Sequence, residues 1–239
     1  MKIINLNTTS SENTFYHFTN RENYESISLY GLIPSIGNNA RGIELTNKVF
    51  FSKGNLGFLR ICDVWINWFI YRNGLYDSVF KYKNITQEEI INLKRKFKED
   101  FMNGLFYTEE NINKAFSWMN SFMSSNIVLK LDLSSEDYEQ FDIDEAKSHE
   151  KIDFIKKMYL GYVTSDSYTE EFNMHTKSGI GVSNDKISKI VVSNDDSAIS
   201  ILKEIYSLEK DKNYEFTFLD DFMRYVYSID SNINYKKRK

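Results

Sequence analysis

Phe15-Tyr16-His17-Phe18-Thr19, Gly31-Leu32-Ile33-Pro34 and Lys48-Val49-Phe50-Phe51-Ser52 lay out a strand, a helix exit and a second strand near the start of the sequence. The first alternates aromatic and polar residues and predicts a short strand. Thr19 follows as a helix N-cap, with Glu22 at the N3 position completing a capping box. Tyr24, Ile27 and Tyr30 recur at helical spacing. Gly31 suits the left-handed position that ends a helix, and Pro34 cannot continue one. A polar loop, 35–47, leads to a second strand over Lys48–Ser52. Gly54 and Gly57 then open a helix whose stripe of Leu59, Cys62, Trp65, Ile66 and Phe69 faces a core.

Thr86 and Glu89 form another capping box, predicting a helix to about Met102. Thr108 starts a further helix through Phe116, Trp118, Met119 and Phe122. Asn126–Leu133 alternates as a buried strand. Ser148 caps a helix holding Ile152, Ile155 and Met158. Leu160–Thr164, Glu170–Thr176 and Ile187–Ser193 are strand candidates. Asp195 or Asp196 caps a helix carrying Ile199, Ile201, Leu202 and Ile205, and the aromatic end, Phe216–Ser228, fits helix or strand. With strands at both ends and helices in the middle, the pattern predicts an α+β fold with a mixed or antiparallel sheet, not a doubly wound parallel one. No GxGxxG or GxxxxGK[ST] run occurs, which agrees.

Composition narrows the class. The chain of 239 residues suits one domain, 1–239. Its 18 Phe, 16 Tyr and 3 Trp supply enough apolar area for a substantial core. Pro34 is the single proline, so turns fall to Gly, Asn, Asp and Ser. A net charge of −4 gives no global field for nucleic acid. Cys62 stands alone, which excludes an internal disulfide and a cysteine-cluster zinc site. His17, His149 and His175 lack metal-ligand spacing, so no metal is expected. Neither a secretory signal nor an apolar run of about 18 residues is present. The expectation is a soluble, cytoplasmic protein. The basic end, Tyr235–Lys239, reads as a solvated, frayed terminus.

The order Tyr-His-x-Thr, helix, Gly-Leu-x-Pro, loop and aromatic-aromatic-Ser strand resembles the N-terminal half of the ADP-ribosyltransferase fold. Within it, the closest pattern is the branch with a His, Tyr and Glu triad, which includes the poly-ADP-ribose polymerases and the diphtheria-type toxins. The chain is also similar to the NAD-using RNA 2′-phosphotransferases. The resemblance covers residues 14–54 well and 160–193 thinly. It implies a split mixed or antiparallel sheet, here with a helical insertion over residues 84–124.

The resemblance also implies roles. NAD would be the substrate, with a protein or nucleic-acid group as acceptor and no membrane partner. A bacterial-type effector or toxin, released by a route the sequence does not display, would suit it. His17 takes the position of the histidine that binds the adenosine ribose, beside Thr19. Phe50 stands where the family carries a tyrosine that stacks on nicotinamide; the ring is kept and the hydroxyl is lost. Ser52 matches the small hydroxyl residue that follows. Arg41, in the loop that would cover the phosphates, has the fork for an anion. The family's glutamate stabilises an oxocarbenium-like transition state. The late strand puts Met174 or His175 at that place. Glu171 is the nearest acid but lies three residues earlier, on the other face. Glu171 or His175 would therefore act at the ribose. Two alternatives stay open: a degenerate module that binds a nucleotide, RNA or protein partner without turnover, and an RNA 2′-phosphotransferase-like enzyme.

Overall fold

The structure is a computed structural model, and it describes residues 2–6, 14–34, 47–79, 103–104, 107–140, 173–212 and 214–237. The strands are β1 (Lys2–Asn5), β2 (Phe15–Asn20), β3 (Phe50–Lys53), β4 (Asn126–Leu131), β5 (Tyr138–Gln140), β6 (Asn173–Thr176) and β7 (Ile187–Val191). They form one sheet in the order β1-β7-β4-β2-β3-β6-β5. β1 runs parallel to β7, and every other neighbouring pair is antiparallel. The α-helices are α1 (Tyr24–Tyr30), α2 (Gly54–Val79), α3 (Glu109–Ser125), α4 (Ala198–Glu209) and α5 (Leu219–Lys237). The expected α+β class with a mixed sheet is therefore observed.

Side chains alternate across the sheet and divide the core in two. Tyr16, Phe18 and Val128 point to one side, where Phe58, Leu59, Cys62 and Ile66 of α2 meet Phe116, Met119 and Met123 of α3, Leu202 and Ile205 of α4, and Phe222 of α5. Phe15, Phe51, Leu129, Leu131, Met174 and Ile187 point to the other side, covered by Ile27 of α1 with Leu32 and Val182. Aromatic rings join sheet to helices on the first side: Phe18 stacks on Phe58, and Trp118 of α3 stacks on Phe69 of α2 at 3.7 Å.

The weakest join lies near the middle of the sheet. β2 pairs with β4 along all six of its residues, from Phe15↔Leu131 to Asn20↔Asn126. With β3 it pairs only at Phe15↔Lys53 and Tyr16↔Ser52. The described strands thus make one hydrogen-bonded sheet instead of the two separate halves of a split one. Yet β1-β7-β4-β2 is linked to β3-β6-β5 by just these two residue pairs.

Several local expectations change. Thr19 is not the helix cap: it is buried in β2 opposite Ile127. The next residue takes the role, with Asn20 Oδ1 accepting the Glu22 N–H at 3.0 Å, and a 3-10 turn (Arg21–Asn23) precedes α1. Thr and Asn both suit a cap, and pairing with β4 claims the threonine. Of the residues at helical spacing on α1, Ile27 is buried and Tyr30 is exposed. At the start of α4 the N-cap is Ser197. Asp195 acts from two residues away, its carboxylate accepting the Ser197 N–H and the Ser200 hydroxyl. The C-terminal end is helical, and α5 continues to Lys237.

Thr108 does cap α3, its hydroxyl accepting the Asn111 N–H. Gly31 does end α1, with φ +79° and its N–H on the Ile27 carbonyl. The expected helices at 86–102 and after Ser148, the strand at 160–164, and most of the expected insertion over 84–124 lie outside the described residues. The described part of that insertion, α3, packs directly into the larger core through Ala115, Phe116, Met119 and Met123.

Candidate functional site

The site that the sequence singles out is built where β2 and β3 part. Beyond Tyr16↔Ser52 the ladder stops, although β2 runs on to Asn20 and β3 extends back to Phe50. His17 fills the gap: its Nδ1 stands 2.8 Å from the Phe50 carbonyl oxygen. A carbonyl only accepts, so Nδ1 carries the proton and Nε2 keeps its lone pair in the neutral ring. Desolvation by burial holds the imidazole pKa below its ordinary value, and the bond to Phe50 only partly opposes this. His17 is thus a neutral ring with fixed tautomer and orientation.

Phe50 contributes to the site twice. Its carbonyl holds His17, while its half-buried ring meets the His175 ring edge-on at 5.7 Å. Alternation sends the two side chains to opposite sides of the sheet, His17 with Phe15 and Phe50 with Ser52. The two rings therefore flank one peptide unit from either side, and no ring contact joins them.

His175 is buried on β6, opposite Phe50 on one flank and Glu139 of β5 on the other. Its Nδ1 lies 3.0 Å from the Thr176 carbonyl and 3.8 Å from Glu139 Oε2. Met174 pairs with Phe51 and is packed in the smaller core. Ser52 is buried, with its hydroxyl 3.5 Å from the Tyr16 carbonyl. Thr19 is likewise enclosed, so both hydroxyl residues serve the sheet. Arg41 and Glu171 lie outside the described residues. The structure therefore brings His17 to the Phe50 backbone and His175 to the Phe50 ring, and it buries Met174 away from both.

Glu139 is the residue that sequence reasoning missed. Tyr138-Glu139-Gln140 is too short to display a period, and its place beside His175 depends on long-range register. Behind the site a partly buried polar chain fixes the start of α2. The Tyr16 hydroxyl donates to Asn55 Oδ1 at 2.7 Å, and Asn55 Nδ2 donates to Glu209 Oε1 at 2.9 Å. Burial raises the Tyr16 phenol well above its ordinary value, so it remains a donor.

Among the described residues no group of His, Cys, Asp and Glu is placed to hold a metal ion. No described helix is long and apolar enough to cross a membrane. Comparison of the chain with protein-family models, curated proteins and solved structures finds no match.

Proposed function

We propose that the chain binds NAD where β2 and β3 part, and transfers ADP-ribose to a protein or nucleic-acid acceptor. The observation that carries this reading is the 2.8 Å approach of His17 Nδ1 to the Phe50 carbonyl, where the strand ladder ends. It leaves a neutral imidazole, held by its Nδ1, whose Nε2 lone pair can accept from a ribose hydroxyl. On the opposite side of the sheet from His17, the Phe50 ring offers a phenyl face that can stack on a nicotinamide ring. Arg41 would supply charge for the phosphates.

The test is a thermal shift with NAD and an assay of nicotinamide release, each repeated with His17→Ala. Expected are a shift and release for the native chain, and loss of both in the variant. No shift and no release from the native chain would remove the reading.

A second reading is favoured by one specific observation. Of Met174 and His175, the two residues that the resemblance puts at the glutamate's place, Met174 is an apolar side chain packed in the smaller core and His175 is buried, and neither is a carboxylate. On that reading the chain is a binding module without turnover, and NAD would shift its melting temperature while nicotinamide stays bound to ribose.

A further inference from the structure

We propose that residues 21–30 are a strap over the His17 side of the sheet, latched at Asp196 and released by local unfolding while the rest of the fold stays intact. NAD plays no part in the latch or in its test. His17, Leu129 and Lys189 are successive partners across β2, β4 and β7, so their side chains share one side of the sheet. α1 lies on that side. Ile27 packs in the smaller core with Leu129, and Tyr24 packs against it with Lys189 Nζ 4.5 Å from its ring centroid. The strap therefore roofs the Lys189 end of the row that His17 begins.

Both ends of the strap are fixed by backbone. Asn20 is paired with Asn126 in the sheet. At the other end Asn184 Nδ2 donates to the Ser28 and Leu29 carbonyls, and Leu32 exchanges two backbone hydrogen bonds with Val182. Between these anchors the hold is slight. Of the ten described residues 21–30, Ile27 alone is buried. A helix of seven residues does not sustain itself.

The rest of the hold is electrostatic. One Asp196 oxygen accepts from Arg21, and the other accepts from Lys189 Nζ at 3.0 Å. Asp196 thus ties the strap directly through Arg21, and indirectly by setting Lys189 against the Tyr24 ring. Its neighbour Asp195 is taken by the Ser197 N–H and the Ser200 hydroxyl. The Arg21 side chain is 47% exposed and that of Lys189 15%, so salt weakens the Arg21 arm and spares the other. Few buried contacts and a salt-sensitive tie are the marks of a segment that opens by itself.

The experiment follows amide hydrogen exchange in the strap, with α3 as internal reference, for the native chain, Asp196→Ala and Arg21→Gln. Each is measured at low salt and in about 1 M KCl, where the Debye length is about 3 Å. Acylation of His17 by diethyl pyrocarbonate is read in parallel by mass spectrometry. The native strap should exchange well ahead of α3 and faster in KCl. Asp196→Ala should speed it about tenfold and remove most of the salt effect, with α3 unchanged. Arg21→Gln, an exposed change that leaves the core alone, should speed it about two- to fivefold, and decides the matter if Asp196→Ala does not fold. His17 acylation should rise with strap exchange. A native strap that exchanges only as slowly as α3 overturns the proposal. So does either variant that folds and leaves the strap at the native rate, or that speeds strap and α3 alike. Faster strap exchange with His17 acylation unchanged overturns the control of access to His17.

Discussion

His17 on β2 directs Nδ1 at the carbonyl oxygen of Phe50 on β3, 2.8 Å away, at the point where the two strands cease to pair. The imidazole takes over a hydrogen bond that the next rung of the ladder would have made. A backbone acceptor near the middle of the sheet is thereby satisfied while the strands separate.

The first prediction follows from the protonation of that ring. Burial lowers the folded-state pKa of His17 below the ordinary 6.5. The unfolded chain then binds the proton more tightly, so this residue's contribution to stability is complete above about pH 6.5 and is lost as pH falls toward the folded value. Melting curves between pH 8 and pH 5 should show a decline that His17→Gln removes in part. Equal slopes for the two proteins would contradict the assignment.

Gly31 gives a second test. Its φ is +79°, and a Cβ placed on it would lie 2.2 Å from the Val182 carbonyl oxygen. That carbonyl accepts the Leu32 N–H, while the Val182 N–H returns to the Leu32 carbonyl, both at 2.8 Å. Gly31→Ala must adopt a left-handed conformation and open this reciprocal bridge. Denaturant unfolding should register a loss of about 2 kcal/mol or more.

How much of this was legible in the sequence depends on whether the deciding contact is local. β2, α3 and the exit at Gly31 were legible because alternation, the Thr108 cap and the glycine operate within a few residues. The cap of the first helical turn falls one position after the residue that pattern favours, since Thr19 and Asn20 are both suitable and only the pairing of Thr19 with Ile127 separates them. β1 and β5, with four and three residues, are too short to carry a period. At the site, His17 and Phe50 were marked by their motif. The separation of their side chains by the sheet, and the placing of Glu139 beside His175, are set by register between distant strands.

The end of the chain illustrates the same limit and supplies a third prediction. Phe216–Ser228 fitted helix or strand by pattern, and the choice is made by a residue of α2. The Asp63 carboxylate, buried on α2, accepts the backbone N–H groups of Thr217, Phe218 and Leu219 at 2.8–2.9 Å, capping α5 from outside its own segment. Asp63→Ala would leave three donors without this partner and should cost about 3 kcal/mol, as hydrogen bonds to a buried charge do. Asp63→Asn keeps one acceptor oxygen and should cost less. Equal stability of Asp63→Ala and the native chain would dismiss the cap.

The last prediction concerns the Phe50 ring, which pattern alone would consign to the core. Phe51 is nearly fully buried and packs edge-on against Phe15, so Phe51→Ala should destabilise the fold by about 3 kcal/mol or more. Phe50 is half-buried and belongs to neither core, its described ring contact being the edge of His175. Phe50→Ala should therefore change the melting temperature far less than Phe51→Ala. An aromatic pair is worth about 0.5–1.5 kcal/mol beyond area burial, so on the proposed NAD reading Phe50→Ala should weaken NAD binding roughly two- to tenfold. On the same proposed reading, Phe50→Tyr keeps the stacking face, adds a hydroxyl, and should bind NAD at least as well as the native chain. Calorimetric titration of the three variants checks the order. If Phe50→Ala and the native chain bind NAD equally, the ring takes no part in the site, and the backbone carbonyl that holds His17 is the whole of Phe50's contribution.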